Sequence, residues 1–189
     1  MSAGSATSSP ARSVASSTTA PSASPAARRS APARVLARIT SPADIFLLVR
    51  MLAWACVLPS LKHLVPIKTL APLVRRQPRQ STRNRVREDQ IVTFARWVCR
   101  ATRWSRDGNC LERGLIAYRF LSAANAAPTL VVGVARGEAG GGVRGHAWVV
   151  VDGQPMGERM SGLAAFAFVL AFGPGGELLV RNPAEAGIQ

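Results

Sequence analysis

The segment 109–152 constrains the fold more than any other part of this 189-residue chain. Apolar residues recur at helical spacing after Cys110, and a β-rich run follows over residues 129–135. A glycine-rich stretch then leads into a second apolar run that begins at His146. The pair Asp152-Gly153 predicts a tight hairpin after that run, so the chain should return antiparallel. The segment therefore predicts an α+β fold with a helix packed on an antiparallel sheet.

Cys110 and His146 are the two side chains in this segment that could carry chemistry. Asn109 is a good N-cap residue, and it would place Cys110 in the first helical turn. The positive end of the helix dipole favours a thiolate there, and an imidazole on a neighbouring strand could serve as its base. The pair therefore predicts a cysteine nucleophile with a histidine base. The alternative is that Cys110 is simply a small core residue.

A base of this kind usually has a third group on its other ring nitrogen. Asp152 lies six residues along the same strand, roughly 20 Å from His146, and is needed for the hairpin. Glu158 returns beside the strand after the hairpin. With a three-residue loop it would lie opposite Trp148 on the face of His146. With a two-residue loop it would lie opposite Ala147 and face away.

These motifs resemble those of a known family. They are Cys110-Leu111-Glu112-Arg113, then His146-Ala147-Trp148, then a hairpin, and then an acid, Glu158, twelve residues after the histidine. The pattern is similar to the leader-peptidase B family of lasso-peptide biosynthesis, within the transglutaminase-like, papain-related superfamily. The resemblance covers about residues 84–172. It implies a transglutaminase-like core with Cys110, His146 and Glu158 as the catalytic triad, although the family more familiarly has Asp at the last position.

The resemblance implies a thiol peptidase that removes the leader from a ribosomally made precursor peptide. It also implies two partners, a leader-recognition protein and an ATP-dependent cyclase that closes the macrolactam. Because residues 42–76 do not predict the strands of a fused leader-binding element, we expect the leader-recognition protein to be separate. No cofactor is expected, and no CxxC or HExxH motif predicts a metal site.

Some roles and functions have alternatives at this point. Arg113 and Trp148 are candidates for substrate contact, but Arg113 could be structural and Trp148 could pack in the core or shield the catalytic pair. An acyl transferase with an amine acceptor would use the same triad. A non-catalytic scaffold with a thiol-protease fold is the remaining alternative.

Charge divides the chain into unequal parts. The first 87 residues hold fourteen Lys and Arg with one acid, so they carry nearly all of the net charge of +14. Residues 1–40 are expected to form a disordered basic tail. Residues 42–76 are expected to form an apolar helical segment, and residues 84–189 are expected to form the peptidase domain. No aromatic residue lies among the arginines of the tail, so nucleic-acid binding is not expected. The odd number of cysteines, three, indicates a reducing compartment, and we expect a cytoplasmic protein.

The remaining elements follow from apolar patterns. A helix should begin at Pro42 and end before Pro59, with about 14 apolar residues where a bilayer needs roughly 20. Core packing is the expected role of that helix, with peripheral membrane contact as the alternative because basic residues follow it. A second helix should span residues 87–103 with Cys99 on its buried face. Residues 163–172 predict either a strand or a buried helix, and residues 177–181 a last strand.

Overall fold

The structure is a computed structural model that describes residues 37–77, 82–102, 109–136 and 142–179. The helices are α1 (Pro42–Leu64), α2 (Ile67–Val74), α3 (Arg85–Ala101), α4 (Cys110–Ala123) and α5 (Met160–Leu163). The strands are β1 (Thr129–Arg136), β2 (Val143–Val151), β3 (Gln154–Pro155), β4 (Ala167–Phe172) and β5 (Leu178–Leu179). Residues 1–36 of the tail predicted over residues 1–40 lie outside the described residues. The turn before Asn109, part of the glycine-rich stretch and the end of the last predicted strand also lie outside them.

The strands form one antiparallel sheet in the order β3-β2-β1-β4-β5. Strand β1 lies in the middle, as its β-branched composition indicates. Residues 163–172, which the sequence predicts as either a strand or a buried helix, contain parts of two elements. A short helix ends at Leu163, and strand β4 begins at Ala167. Helices before the sheet and an antiparallel sheet after them confirm the predicted α+β class.

Helix α1 is longer than its sequence predicts. It runs for 23 residues and contains Pro59, so the prediction that this proline ends the helix is wrong. A proline inside a helix removes one backbone hydrogen bond. Leu58 beside it is completely buried, however, and Lys62 in the last turn forms a 2.7 Å ion pair with Glu112 of α4. Packing and this ion pair therefore hold the last turn in place despite the proline.

The two faces of α1 have different environments. One face is buried against the other helices, through Leu47, Met51, Ala55 and Leu58. The opposite face exposes large apolar side chains, which are Ile45, Phe46, Val49, Leu52 and Val57. By length and composition α1 could cross a membrane, a property that core helices and signal sequences share. Its buried face lies in the core, and membrane contact stays a prediction.

Helix α4 packs on one face of the sheet, and α1 and α3 pack against α4 to enclose the main core. Fully buried members of this core include Phe94, Val98, Leu115, Ile116 and Leu130. Cys99 lies in the same core, as its position on the buried face of α3 predicts. Strand β2 contributes Val149 and Val151 to it, and these two residues therefore point toward the helices.

The other face of the sheet carries a smaller cluster. Trp148 packs there with Val131 and Leu163, and Phe166 lies against them. Because alternate residues of a strand point to opposite faces, His146 shares the face of Trp148, whereas Gly145 and Ala147 belong to the face covered by α4. Strand β2 thus places its histidine and the helix that begins with Cys110 on different faces of the sheet.

Candidate active site

Helix α4 lies close to strand β2 because Gly114 has no side chain. A Cβ added at Gly114 would lie 3.1 Å from Cδ1 of Leu130 and 3.7 Å from Cβ of Ala147. Cys110 precedes Gly114 by one helical turn and lies on the same side of the helix. Its Sγ atom reaches the strand two residues before Ala147, where it lies 4.0 Å from the carbonyl oxygen of Gly145. The start of the helix therefore places the sulfur directly beside the residue that precedes His146.

Asn109 occupies the N-cap position, but its side chain does not cap the helix. It donates a short hydrogen bond to the carbonyl of Cys99 on α3 instead. The first N–H groups of α4 therefore receive no hydrogen bond acceptor from Asn109. Such groups at a helix start are the donors that can hold a developing oxyanion.

The thiols of Cys110 and Cys99 lie in different environments. Cys110 is half-buried at the helix start, whereas Cys99 is 2% exposed. Burial raises the pKa of Cys99 to about 12, with the negative charge of Glu112 adding to the effect and Arg113 opposing it. Cys99 is therefore a protonated core thiol at neutral pH, which leaves Cys110 as the candidate nucleophile of this site.

His146 lies opposite Gly133 of β1, and its ring is half-buried among aromatic side chains. Its centroid lies 5.9 Å from that of Trp148 and 5.2 Å from that of Phe166. Burial lowers the pKa of His146 below its usual 6.5, Glu158 opposes this effect, and the positive charges of Arg113 and Arg144 add to it. The imidazole is therefore mostly neutral at pH 7, as a general base must be.

No hydrogen bond joins Cys110 to His146 among the residues that the structure describes. The sulfur contacts the carbonyl of Gly145 and the imidazole packs on Trp148 and Phe166. Standard bond lengths nevertheless place the Cα atom of His146 no more than about 8 Å from Sγ of Cys110. Because His146 lies on the other face of β2, its imidazole would have to leave its aromatic neighbours and move to the α4 side of the strand to reach the sulfur. Catalytic hydrogen bonds of this type often tighten only when substrate binds.

Glu158 is paired with Arg113 rather than with His146. Its carboxylate accepts a 2.5 Å hydrogen bond from the Arg113 guanidinium. The hairpin has the two-residue turn, since Val151 pairs with Gln154. The turn residues Asp152 and Gly153 have positive φ values of 51° and 75°, as a tight hairpin turn needs. Of the two positions that the sequence allows for Glu158, the structure therefore has the one on the helix side of β2. Glu158 acts on His146 through its negative charge.

The two candidates for substrate contact, Arg113 and Trp148, are held by contacts within the fold. Arg113 is held by Glu158 at the edge of a cavity of about 20 Å³, room for about one water molecule, beside Ala147 and Met156. Trp148 is 3% exposed and packs on the outer face of the sheet. These contacts favour the structural alternatives. Arg113 links α4 to the chain that follows β3, and Trp148 shields the imidazole of His146.

A feature that sequence reasoning missed is the ion pair between Glu112 and Lys62. Glu112 is 4% exposed in the first turn of α4, and Lys62 comes from the last turn of α1. Together with Arg113 and Glu158, this pair ties the first turn of α4 to neighbours on both sides. An acid in the first turn of a helix is a recognisable signal, but nothing in the sequence indicates that its partner lies fifty residues earlier.

The described residues hold no group of three or more His, Cys, Asp and Glu side chains that could bind a metal ion. The thiol of Cys110 near the imidazole-bearing strand offers a different kind of chemistry: attack on an acyl carbon, followed by transfer of the acyl group.

Comparison with protein families gives the wider context of this site. The family model described as the transglutaminase-like superfamily matches residues 48–171, a span that includes α4 and β2 together with most of α1 and β4. Comparisons with curated proteins and with solved structures gave no match. The matched span covers well over half of the chain and contains both Cys110 and His146. The chain belongs to the transglutaminase-like superfamily, and the predicted fold is confirmed.

Proposed function

We propose that this protein is a cysteine peptidase that removes the leader from a ribosomally synthesised lasso-peptide precursor. The observation that carries the proposal is the position of the Cys110 sulfur, 4.0 Å from the carbonyl of the residue before His146. Family membership supports thiol-dependent acyl chemistry. The sequence motifs around Cys110 and His146, with their resemblance to the leader-peptidase B family, support the choice of substrate.

In the proposed mechanism, the imidazole of His146 turns toward α4 and takes the proton of Cys110. The thiolate attacks the carbonyl carbon of the last leader residue, and the oxyanion is held by the backbone N–H of Cys110. The C–N bond then breaks as His146 returns its proton to the leaving amine, which becomes the new N-terminus of the core peptide. Water attacks the thioester and releases the leader as a free carboxylate.

The charged residues around the pair have supporting roles in this proposal. Glu158 stabilises the imidazolium that forms when His146 accepts the proton, and the charge of Arg113 limits this effect. Arg113 also fixes the position of Glu158. The aromatic rings of Trp148 and Phe166 keep the imidazole desolvated, and therefore neutral, until substrate binds.

The proposed reaction has two protein partners, a separate leader-recognition protein that delivers the precursor and an ATP-dependent cyclase that consumes the released core peptide. Their support comes from the resemblance of the motifs. A cytoplasmic location fits both partners and the three free thiols.

The test is incubation of the full chain with a precursor peptide and its leader-recognition protein, followed by mass spectrometry. The unmodified protein should give leader and core fragments, and Cys110→Ala should give neither. Cys56→Ala is the matched control, because Cys56 is exposed on α1 and should not affect cleavage. Undiminished cleavage by Cys110→Ala would refute the proposal. A leader that carries an added amine, rather than a free carboxylate, would show that the enzyme is an acyl transferase.

A further inference from the structure

Helix α1 is apolar on both of its faces. One face lies in the core, and the opposite face carries large exposed apolar side chains, which are Ile45, Phe46, Val49, Leu52, Val57 and Leu64. At 3.6 residues per turn, these six positions fall within a stripe about 140° wide and roughly 30 Å long. A helix that is apolar all round is ordinarily buried in a protein core or in a membrane. The exposed face of α1 therefore lacks the apolar surroundings that its composition predicts.

This exposed face differs from that of a helix that faces water. No exposed residue of α1 is Asp, Glu, Lys or Arg. Helix α3, which packs against α1, has the ordinary pattern, since its exposed residues include Asp89, Arg96 and Arg100. Single exposed apolar residues are common on soluble proteins, but a continuous apolar stripe marks an interaction surface.

Basic residues lie beyond both ends of this face. Arg38 comes four residues before α1, Lys68 lies in the first turn of α2, and both are exposed. The described residues 37–77 include six Lys and Arg and one acid, Asp44. Asp44 is buried and paired with Arg87. The surroundings of the exposed face therefore attract a negatively charged partner.

We propose that the exposed face of α1 binds the surface of an anionic lipid membrane. Its apolar side chains would enter the boundary between headgroups and acyl chains, while Arg38 and Lys68 contact anionic headgroups. A second copy of the chain fits less well, because it would bring like charges together with no exposed acid in residues 37–77 to pair with them. A specific protein partner also fits less well, because such interfaces use hydrogen bonds to fix orientation, and this aliphatic stripe offers few groups that form them.

The helix lies on the membrane in this proposal and does not span it. Asp44 and Lys62 form ion pairs with α3 and α4, and spanning would break both of them. Spanning would also remove the buried face from the core, whereas contact through the exposed face leaves the fold intact. Because α1 packs on α4 and α4 packs on the sheet, the candidate active site between α4 and β2 lies on the far side of α4 from the membrane.

The experiment is co-sedimentation of the full chain with vesicles of phosphatidylcholine and phosphatidylglycerol in equal amounts. We expect binding to these mixed vesicles, and Val49→Gln and Val57→Gln should each weaken it about fivefold or more because apolar contact is lost. Glutamine has a helix propensity at least as high as that of valine, so both variants should stay folded. The matched control Val143→Gln makes the same exchange at an exposed valine of β2 and should leave binding within about twofold.

The positive charges have a separate test. The double variant Arg38→Gln, Lys68→Gln should weaken binding to the mixed vesicles about tenfold or more, because each basic residue near an anionic surface contributes to binding. It should change binding to vesicles of phosphatidylcholine alone within about twofold. The matched control Arg144→Gln, Arg159→Gln removes two exposed positive charges from β2 and the chain after β3, and it should leave binding to the mixed vesicles within about twofold.

Circular dichroism should show that all variants are folded. Equal loss of binding in Val49→Gln and Val143→Gln would overturn the proposal, and absence of vesicle binding would overturn it in favour of a protein partner. A dimer without lipid, dissociated by Val49→Gln in analytical ultracentrifugation, would show that the face joins two copies instead. Resistance of the bound chain to extraction with alkaline carbonate would show a spanning helix and would also overturn the proposal. None of these results depends on peptidase activity, so failure of this inference is distinguishable from failure of the proposed function.

Discussion

Arg113 donates a 2.5 Å hydrogen bond to Glu158 and so joins the first turn of α4 to the chain that follows β3. The carboxylate that is expected to orient His146 is thereby held by Arg113, which lies in the same helical turn as Cys110, the proposed nucleophile. Both charges act on the same imidazole, Glu158 to raise its pKa and Arg113 to lower it. Arg113 and Glu158 therefore have opposite effects on the pKa of His146. Their contact also fixes the position of the first turn of α4.

This balance predicts opposite effects of two conservative substitutions on His146. Glu158→Gln should lower the pKa of His146 further, because the negative charge that favours the imidazolium is lost. Arg113→Gln should raise it, because a positive charge is lost and Glu158 remains. NMR titration of the imidazole measures both. Arg159→Gln, an exposed neighbour of Glu158, is the control, and shifts of the same sign in the two test variants would contradict this account.

The lowered pKa of His146 also predicts how stability depends on pH. The folded state releases the imidazole proton more readily than the unfolded chain, so it binds fewer protons between the lowered value and 6.5. The contribution of His146 is fully present above 6.5 and is lost as the pH falls toward the lowered folded value. Urea unfolding at about pH 7 and about pH 5 should therefore show a smaller pH dependence for His146→Gln than for the unmodified chain. The control His63→Gln changes an exposed histidine; a pH dependence of stability that is the same with and without His146 would refute the prediction.

Gly145 offers a test of the space beside the sulfur. A Cβ added at Gly145 would have nothing within 4 Å, and the carbonyl of this residue lies beside Cys110. Gly145→Leu should therefore leave stability within about 0.5 kcal/mol but reduce leader cleavage about tenfold or more, because the new side chain occupies the approach to the sulfur.

Gly162→Leu is the matched control, since Gly162 on α5 also has nothing within 4 Å of an added Cβ. It should change neither stability nor activity. Full cleavage activity in folded Gly145→Leu would mean that substrate does not approach Cys110 past this residue.

The ion pair between Lys62 and Glu112 predicts a non-additive effect on stability. Lys62→Met leaves the carboxylate of Glu112, whose side chain is 6% exposed, without its partner. The free energy of unfolding should fall by about 1 to 3 kcal/mol. The double variant Lys62→Met, Glu112→Leu removes both charges and should return to within about 1 kcal/mol of the unmodified chain. Urea denaturation provides the measurement, and equal destabilisation of the single and double variants would show that the pair does not hold α1 to α4.

The local elements of the site could be predicted from sequence because each depends on neighbouring residues. Apolar spacing indicates the helix that starts at Cys110, β-branched residues indicate β1, and the Asp152-Gly153 pair specifies the hairpin. The face of the helix on which Cys99 lies is sufficient to predict that it is a core residue. What these patterns could not supply is the partner of each charged group, since that depends on contacts between distant segments.

Two outcomes illustrate that limit. The sequence permits Glu158 on either face of the strand, and the length of one turn decides in favour of the side where Arg113 lies. Pro59 is a strong local stop signal, yet α1 continues to Leu64 because Leu58 and Lys62 form contacts with residues far along the chain. The turn type determines the side on which Glu158 lies, which the sequence leaves open, and tertiary contacts extend α1 past a local stop signal.

The central claim is that Cys110 and His146 act as one chemical unit, and the rate of alkylation of Cys110 tests it most directly. The measurement uses iodoacetamide at pH 7 in a Cys56→Ser background, since Cys56 is an exposed thiol and Cys99 is buried. The modified cysteine is identified by peptide mass spectrometry. We predict rapid labelling of Cys110, slowed about tenfold or more when His146 is replaced by Ala. An unchanged labelling rate in His146→Ala, with the fold intact by circular dichroism, would contradict the claim.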